Sequence, residues 1–298
     1  MVDNTKGSLF MVIAMAAFAI EDMFVKAAAT SVPIGLILVL FGCGGTTIFV
    51  LLARQRGEKV FHPAILCRAI FLRVLCEITG RLTYALAITL TALSSASAIL
   101  QATPLMAMIG AGLFFGEKIN LRRWVAVFIG FIGVLMIIRP GLDGFEVASL
   151  FAVVATIGFA GRDLATRAAP SVLSNMQLGI YGFFILIPTG LGMLIYNEQP
   201  LALNTIASLQ IVGATVFGVG AYNALTIAMR TGDVSVVSPF RYTRLLFALI
   251  IGVFVFSEQL DIMTILGSLL IVSSGVYTLM HSRKQKKAVP KRKLRRLV

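Results

Sequence analysis

SLFMVIAMAAFAIEDMFVKAA (residues 8–28) returns almost unchanged 141 residues later as SLFAVVATIGFAGRDLATRAA (149–169). Ten of the aligned positions are identical without a gap, and Asp22 falls opposite Asp163. Each copy is an apolar stretch with charged residues toward its far end. Such a long, gap-free match inside one chain predicts two copies of the same structural unit.

The same offset relates the far ends of the two copies. FFGEKIN (114–120) aligns with VFSEQLD (255–261), so that Glu117 falls opposite Glu258. Because the register holds at both ends of each copy, the repeat extends over almost the whole chain. The predicted domains are a first repeat at 1–141, a second repeat at 142–281 and a basic tail at 282–298.

The composition is that of a membrane protein. Of the 298 residues, 58% are hydrophobic and only 13% are charged, whereas a soluble domain has about 25% charged residues. The chain contains no HExxH, GxSxG or Walker-type motif, which argues against an enzyme, an ATP-driven pump and a bound cofactor or metal. The predicted membrane spans are 8–29, 34–53, 65–89, 95–115, 122–139, 148–169, 173–195, 208–229, 235–256 and 262–281.

The predicted fold is therefore an all-α membrane protein of ten transmembrane helices, built as two five-helix repeats. Because five is odd, the second repeat enters the membrane inverted, an arrangement that suits carriers. Positive residues mark the cytoplasmic side of a membrane, so both termini are expected in the cytoplasm. The basic tail favours anionic lipid over nucleic acid as its partner. The bases used for this orientation are Arg54, Arg56, Lys59, Lys118, Arg122, Arg123 and the tail.

Charged side chains also occur within the predicted spans, where each costs about 2.5–3.5 kcal/mol on insertion scales. Near the predicted midplane lie Asp22, Glu77, Arg162 and Arg244. Seven bases against four acids leave a predicted excess of about three positive charges, which favours a ligand with a carboxylate or an electron-rich planar group. The set comprises Lys26, Arg73, Arg81, Arg162, Arg167, Arg241 and Arg244 with Glu21, Asp22, Glu77 and Asp163.

Structural roles compete with ligand binding for these residues. Asp22 with Lys26, and Asp163 with Arg167, are i,i+4 pairs that can neutralise each other within one helix. Glu77 stands one helical turn from a base on either side. Arg241 has no acid within its own span, and neither has Arg244, so each pairs across the bundle or waits for an anionic ligand. The acids Glu21, Asp22, Glu77 and Asp163 hold the arginines or carry a proton.

Aromatic, amide and proline residues complete the predicted site. Tyr84, Tyr222 and Tyr242 are candidates for its walls, although such aromatics also serve as core, and Gln101 is either a hydrogen-bond donor to the ligand or a tie between helices. The predicted hinges are two prolines that interrupt corresponding spans. These hinges are Pro104 and Pro239.

These features resemble the drug/metabolite transporter superfamily of the EamA/RhaT type. The likeness is carried by ASAILQATPLMAMIGAGLFFGEKINLRRWVAVFIGFIGVLMIIRPG (96–141), with its proline, Gly-Glu and glycine positions, and by SPFRYTRLLFALIIGVFVFSEQ (238–259). The resemblance implies a secondary carrier with a central cavity lined by the third, fourth, eighth and ninth spans, with help from the first and sixth. The RDxxxR of the sixth span and the FRYTR of the ninth favour a polar or anionic substrate.

The predicted function is secondary transport of a small polar metabolite, either a vitamin such as riboflavin or an amino acid, by alternating access. The predicted binding residues are Arg162, Arg241, Arg244, Tyr84, Gln101, Tyr222 and Tyr242. The alternatives are a multidrug or metabolite exporter and, less favoured, a channel. Small-residue helix faces such as Gly130 with Gly133 permit a homodimer but equally serve packing within one chain.

Overall fold

The computed structural model describes residues 3–115, 121–139, 146–170, 172–197, 203–231 and 238–288. These residues form α-helices and two short 3-10 segments and contain no β-strand. The helices are α1 (Asn4–Ala28), α2 (Ile34–Gln55), α3 (Arg68–Leu90), α4 (Leu93–Leu100), α5 (Thr103–Phe115), α6 (Leu121–Ile138), α7 (Ser149–Ala168), α8 (Asn175–Phe184), α9 (Leu186–Asn197), α10 (Thr205–Thr231), α11 (Thr243–Phe256) and α12 (Ile262–Ala288). The 3-10 segments are Pro63–Leu66 and Ser238–Tyr242.

The helices confirm a multi-pass membrane protein. Every predicted span lies on helix within the described residues, because runs of apolar residues satisfy their backbone hydrogen bonds internally only as helix. Among the described residues, six helical stretches are long and apolar enough to cross a bilayer, two of them made of two consecutive helices, so the ten-span count stays a prediction. The six are Asn4–Ala28, Ile34–Gln55, Leu93–Phe114, Ser149–Thr166, Asn175–Tyr196 and Thr205–Leu225.

Proline positions explain where the long spans are divided. The predicted span 95–115 is two helices that meet at Gln101, and Pro104 occupies the first turn of the second helix. Pro188 lies in the first turn of α9 in the same way, after a break at Ile185. Pro239 lies in the 3-10 segment before α11. A first-turn proline is tolerated because its missing N–H would have had no partner within the helix.

The long helix contacts join the two repeats to each other. Helix α1 packs along α10, and α3 packs along α7. Since α7 repeats α1 and α10 occupies the place of α3, these are the same contact seen from the two halves. Helix α2 packs on α8 and α9, and α6 packs on α12. Each repeat therefore completes the core of the other, and the packing is reciprocal, as two-fold related units require.

Glycine allows the closest of these approaches. At the α6–α12 contact, a Cβ on Gly133 would lie 2.7 Å from the carbonyl oxygen of Gly267, and a Cβ on Gly267 would lie 2.6 Å from that of Gly133. Gly130 is packed by the side chain of Leu105. These small-residue positions serve packing within the chain, one of the two roles that the sequence left open.

Large apolar side chains cover much of the outer surface. Leu113, Phe128 and Phe254 are 74%, 65% and 81% exposed. A contiguous apolar surface of this kind is avoided in water and is expected against lipid. The buried charged groups lie on the opposite, inward side of the helices and form the candidate site.

Candidate functional site

A network of ion pairs connects helices α1, α3 and α7 to the Ser238–Tyr242 segment and to the first turn of α11. We call it the charge network. Its members are Glu21, Asp22, Arg73, Glu77, Arg81, Arg162, Asp163, Arg241 and Arg244.

Arg244 and Asp22 form one end of the charge network. The guanidinium donates from Nη2 to both carboxylate oxygens of Asp22, at 3.0 and 2.7 Å, and from Nε at 3.3 Å. The hydroxyl of Tyr84 donates to the same carboxylate at 3.1 Å and contacts the Ser97 hydroxyl at 3.1 Å. Charge-assisted, bidentate contacts of this kind are the strong ones, so Asp22 is held firmly in place.

Glu77 lies at the centre of the rest of the charge network, which adjoins this end because Glu21 directly precedes Asp22 in α1. Arg81 donates to Glu21 at 2.5 Å and lies 3.5 Å from Glu77. The same Glu77 lies 3.7 Å from Arg73 and 3.6 Å from Arg162. One carboxylate therefore faces three guanidiniums. The predicted ion network around Glu77 is present, and it reaches across helices as well as along α3.

Asp163 and Arg241 form the other end. Arg162 donates to Asp163 from Nε and Nη2 at 3.1 and 2.9 Å, while Arg241 reaches the same carboxylate at 3.5 Å. The Nε atom of Arg241 is buried and has no hydrogen-bond partner. Of the two arginines of FRYTR, Arg244 thus makes three hydrogen bonds to its aspartate, whereas Arg241 makes one long contact and has a buried nitrogen without a partner.

The repeated aspartates converge on one motif. Asp22 binds Arg244 and Asp163 binds Arg241, so the two equivalent positions of the repeat hold the two arginines of FRYTR. The equivalent residues Phe18 and Phe159 each lie beneath a guanidinium group. Arg244 lies over the Phe18 ring at 5.1 Å and Arg162 over the Phe159 ring at 4.8 Å. This convergence explains why the chain repeats its polar residues 141 positions apart.

Of the two predicted i,i+4 pairs between an aspartate and a base, Asp22 with Lys26 is not formed. Lys26 binds Glu258 at 3.1 Å instead of Asp22, since Asp22 is already engaged across the bundle. The side chain of Arg167 lies outside the described residues, so its predicted pair with Asp163 stays a prediction. Among the described side chains, the charge network has one more arginine than it has acids. It comprises Arg73, Arg81, Arg162, Arg241 and Arg244 against Glu21, Asp22, Glu77 and Asp163.

Acids and arginines differ in exposure. The Glu21, Asp22 and Glu77 side chains are only 3%, 5% and 6% exposed. Four guanidiniums keep an accessible edge, and we call them the arginine cluster. Their side chains are 17%, 22%, 27% and 16% exposed for Arg81, Arg162, Arg241 and Arg244, respectively. The Asp163 side chain is itself 28% exposed. Three of the four acids are therefore buried behind the arginines, and the accessible side of the charge network, with four arginines and Asp163, is positive on balance.

The remaining predicted site residues lie on several elements: Tyr222 in α10, Gln101 at the end of α4 and Tyr242 in the Ser238–Tyr242 segment. Tyr222 is half-buried and meets Phe49 edge-on at 5.3 Å between ring centroids. Tyr242 and Gln101 are buried, and both the Tyr242 hydroxyl and the Gln101 Nε2 lack a hydrogen-bond partner. Buried polar atoms without partners are uncommon and call for an explanation. A bound ligand would supply one for either atom.

Several residues of the site were not among the predicted binding residues. Arg81 lies within 5.5 and 5.8 Å of the ring centroids of Phe41 and Phe183, and Arg73 donates to Thr166 at 3.0 Å. The spacing of both arginines around Glu77 was the available signal. The aromatic partners carry no signal, because phenylalanine in an apolar helix is ordinarily core.

An all-α bundle of two interlocked repeats, with exposed apolar walls and a network of charged side chains between its helices, is typical of a membrane transporter for small molecules. The chain belongs to the EamA-like transporter family, whose model matches residues 5–139 and again 147–280. A protein of known crystal structure superposes with a TM-score of 0.66 over 95% of this chain and 100% of its own, at 16% identity. That likeness concerns the fold alone.

Curated relatives are named as transporters rather than enzymes. The chain is 32% identical to a riboflavin transporter of Vibrio cholerae over 60% of each chain. It is 24% identical to an S-adenosylmethionine uptake transporter of Rickettsia felis over 72% of each chain. It is 26% identical to the pseudopaline exporter CntI of Pseudomonas aeruginosa over 89% of this chain and 93% of that protein.

Proposed function

We propose that this transporter is a secondary carrier with ten spans, arranged as inverted repeats at 1–141 and 142–281, that opens one site alternately to each side of the membrane. The reciprocal packing of the repeats supports this architecture, because two equivalent halves produce two access states of similar energy. We place both termini in the cytoplasm at a bacterial inner membrane on the distribution of basic residues.

The arginine cluster is the observation that carries the binding proposal. Accessible guanidinium edges, held by four acids of which three are buried, form a pre-ordered surface that is positive on balance. In a low-dielectric setting its charge-assisted hydrogen bonds are strong. Arg162, Arg241 and Arg244 bind the substrate's anionic or electron-rich part. Further contacts come from Tyr84, Gln101, Tyr222 and Tyr242. Glu21, Asp22, Glu77 and Asp163 hold the arginines or carry a coupling proton, and Pro104 and Pro239 act as hinges.

The proposed substrate is a small polar organic metabolite, either riboflavin or an amino acid. A guanidinium stacks on a planar heteroaromatic ring and also pairs with a carboxylate, so the arginine cluster suits both classes. The relative from Vibrio cholerae is named for riboflavin. The bilayer is the second partner, and a homodimer would need a face other than the one on which Gly133 packs.

A second candidate function is export of drugs or metabolites. A cavity of about 420 Å³ with apolar walls lies between α4, α5, α6 and α7, lined by residues such as Met106, Phe128 and Val153. It would accept an apolar compound rather than an anion. A relative from Pseudomonas aeruginosa is named an exporter.

Ligand binding to the purified protein tests the proposal. Thermal unfolding is followed with riboflavin, glutamate, S-adenosylmethionine and an apolar dye, each added separately. A ligand at 100 times its dissociation constant adds about 2.7 kcal/mol to the free energy of unfolding. We expect riboflavin or glutamate to stabilise the protein, and Arg241→Ala to abolish that gain.

Arg241 is the residue to change because its guanidinium is incompletely paired, so its loss leaves few buried groups without a partner. Arg54→Ala is the control, since Arg54 is an exposed base at the end of α2. Equal stabilisation of Arg241→Ala and the native protein would remove Arg241 from the site. Stabilisation by the dye alone would favour the second candidate.

A further inference from the structure

A second cluster of charged contacts lies apart from the charge network. The Lys26 ammonium donates to the Thr91 carbonyl oxygen at 2.7 Å and binds the Glu258 carboxylate at 3.1 Å. That carboxylate also accepts from the backbone N–H groups of Leu93 and Ser94, at 2.5 and 3.0 Å. These are the first two residues of α4, so Glu258 occupies the position of an N-terminal cap contributed by a distant part of the chain. We call these five residues the Lys26–Glu258 latch.

The Lys26–Glu258 latch ties the two repeats together on one face. Lys26 ends α1 and Leu93 begins α4, both in the first repeat, whereas Glu258 follows α11 in the second. Lys26 lies 22 residues beyond the start of α1 at Asn4, which is roughly 33 Å at 1.5 Å per residue. The latch therefore closes the face remote from the N-terminus, which we call the latch face.

The local structure is arranged around the carboxylate. Ser257 adopts a left-handed conformation with φ of 52° and turns the chain back after α11. Gly252 leaves the space that the Glu258 carboxylate fills, because a Cβ there would overlap it. Burial alone would raise the pKa of Glu258. Hydrogen bonds from Ser94 and Leu93 and the positive charge of Lys26 outweigh this effect, so the pKa is lower than its ordinary value. The carboxylate is thus ionised at neutral pH.

We propose that the Lys26–Glu258 latch is the gate that holds the latch face closed, and that its release opens the arginine cluster to that side. This inference rests on the alternating-access carrier proposed above. A carrier must separate its repeats on one face while joining them on the other. The contacts on the Glu258 carboxylate join a repeat-two residue to two separate repeat-one elements, so any separation of the repeats at this face breaks all of them together.

Cysteine accessibility measures the state of the latch face without a known substrate. The native Cys43, Cys67 and Cys76 are changed to serine, and Ser97→Cys serves as the reporter. Ser97 is fully buried and lies one turn below Ser94 in α4. A membrane-impermeant maleimide is applied to right-side-out and inside-out vesicles. In Glu258→Gln the labelling rate from the latch face is expected to rise at least about tenfold, equal to about 1.4 kcal/mol, with no rise from the other side.

Two further variants grade the response. Lys26→Gln leaves the contacts of the Glu258 carboxylate with the α4 N–H groups intact, so it should raise the labelling rate less than Glu258→Gln does. Gly252→Ala displaces the carboxylate without altering any charge, so it should raise the labelling rate about as much as Glu258→Gln does. Arg54→Gln is the control, because Arg54 is an exposed base at the end of α2 and takes no part in the latch. Its labelling should stay unchanged.

Unchanged labelling in Glu258→Gln and Gly252→Ala, with each protein recovered from the membrane at native amounts, would overturn the proposal. Equal increases from both faces would overturn it too, since they would indicate general loosening. The outcome is independent of the ligand experiment: a protein that binds none of the tested compounds but shows one-sided labelling has a latch and an unassigned substrate.

Discussion

At the residue scale, the buried carboxylate of Asp22 shows how the structure tolerates charge inside the membrane. Its two oxygens receive donors from Arg244 and Tyr84 and are almost inaccessible. Removing a single partner from such a buried pair is costly, because the remaining charge loses its compensation. We therefore expect the Asp22–Arg244 pair to contribute to the free energy of unfolding.

Arg244→Ala is expected to lower the free energy of unfolding by about 3–5 kcal/mol, since it leaves Asp22 charged and buried. The double variant Asp22→Asn, Arg244→Ala should regain part of that loss because the uncompensated charge is gone. Thermal unfolding in detergent measures both, with Arg54→Ala as the exposed-base control. If Arg244→Ala unfolds at the native temperature, the pair contributes nothing to stability.

At the scale of elements, the helices approach one another where glycine removes the side chain. The α6–α12 contact brings Gly133 against the backbone of Gly267, and the α3–α7 contact brings Gly158 against Gly80. Backbone cannot move aside as a flexible side chain can, so a methyl group at these positions forces the helices apart. The destabilisation would therefore come from the increased distance between the two helices rather than from the substituted residue alone.

Gly133→Ala is expected to destabilise the protein by about 1–3 kcal/mol through overpacking. Gly220→Ala in α10 is the matched control, because no atom outside its own helix lies within 4 Å of a Cβ there. That control should be neutral or stabilise by up to about 1 kcal/mol through the helix preference of alanine. Unfolding temperatures compare the two, and equal shifts would contradict the described contact.

At the scale of the whole molecule, the two repeats form one body through reciprocal contacts and are tied on the latch face by Lys26 and Glu258. In the mechanism proposed above, this latch closes one entrance to the site. Because Glu258 lies outside the spans and has a lowered pKa, the response of this entrance to pH follows from the sign of the shift. Lys26 is the charged side chain that faces it among the described residues.

A lowered carboxyl pKa stabilises the closed latch at neutral pH and loses that contribution as pH falls through the lowered value. The labelling rate of the Ser97→Cys reporter from the latch face is divided by the rate of the same reporter in Glu258→Gln, which cancels the loss of reactive thiolate at low pH. This ratio should therefore stay constant from neutral pH down to the ordinary value of 4.5 and rise only below it. A native rise well above pH 4.5 would point to a different titrating group.

The sequence by itself determined the membrane setting, the helical fold and the repeat. The length of the apolar segments and the similarity between the two halves can be read directly from the order of the residues. It also identified Asp22, Asp163, Arg241 and Arg244 as exceptional, since charge within an apolar run is visible in one dimension. Only the tertiary structure decided the partners. Ion pairing depends on the register between helices far apart in sequence, so Asp22 binds Arg244, 222 residues away, rather than Lys26 one turn along its own helix.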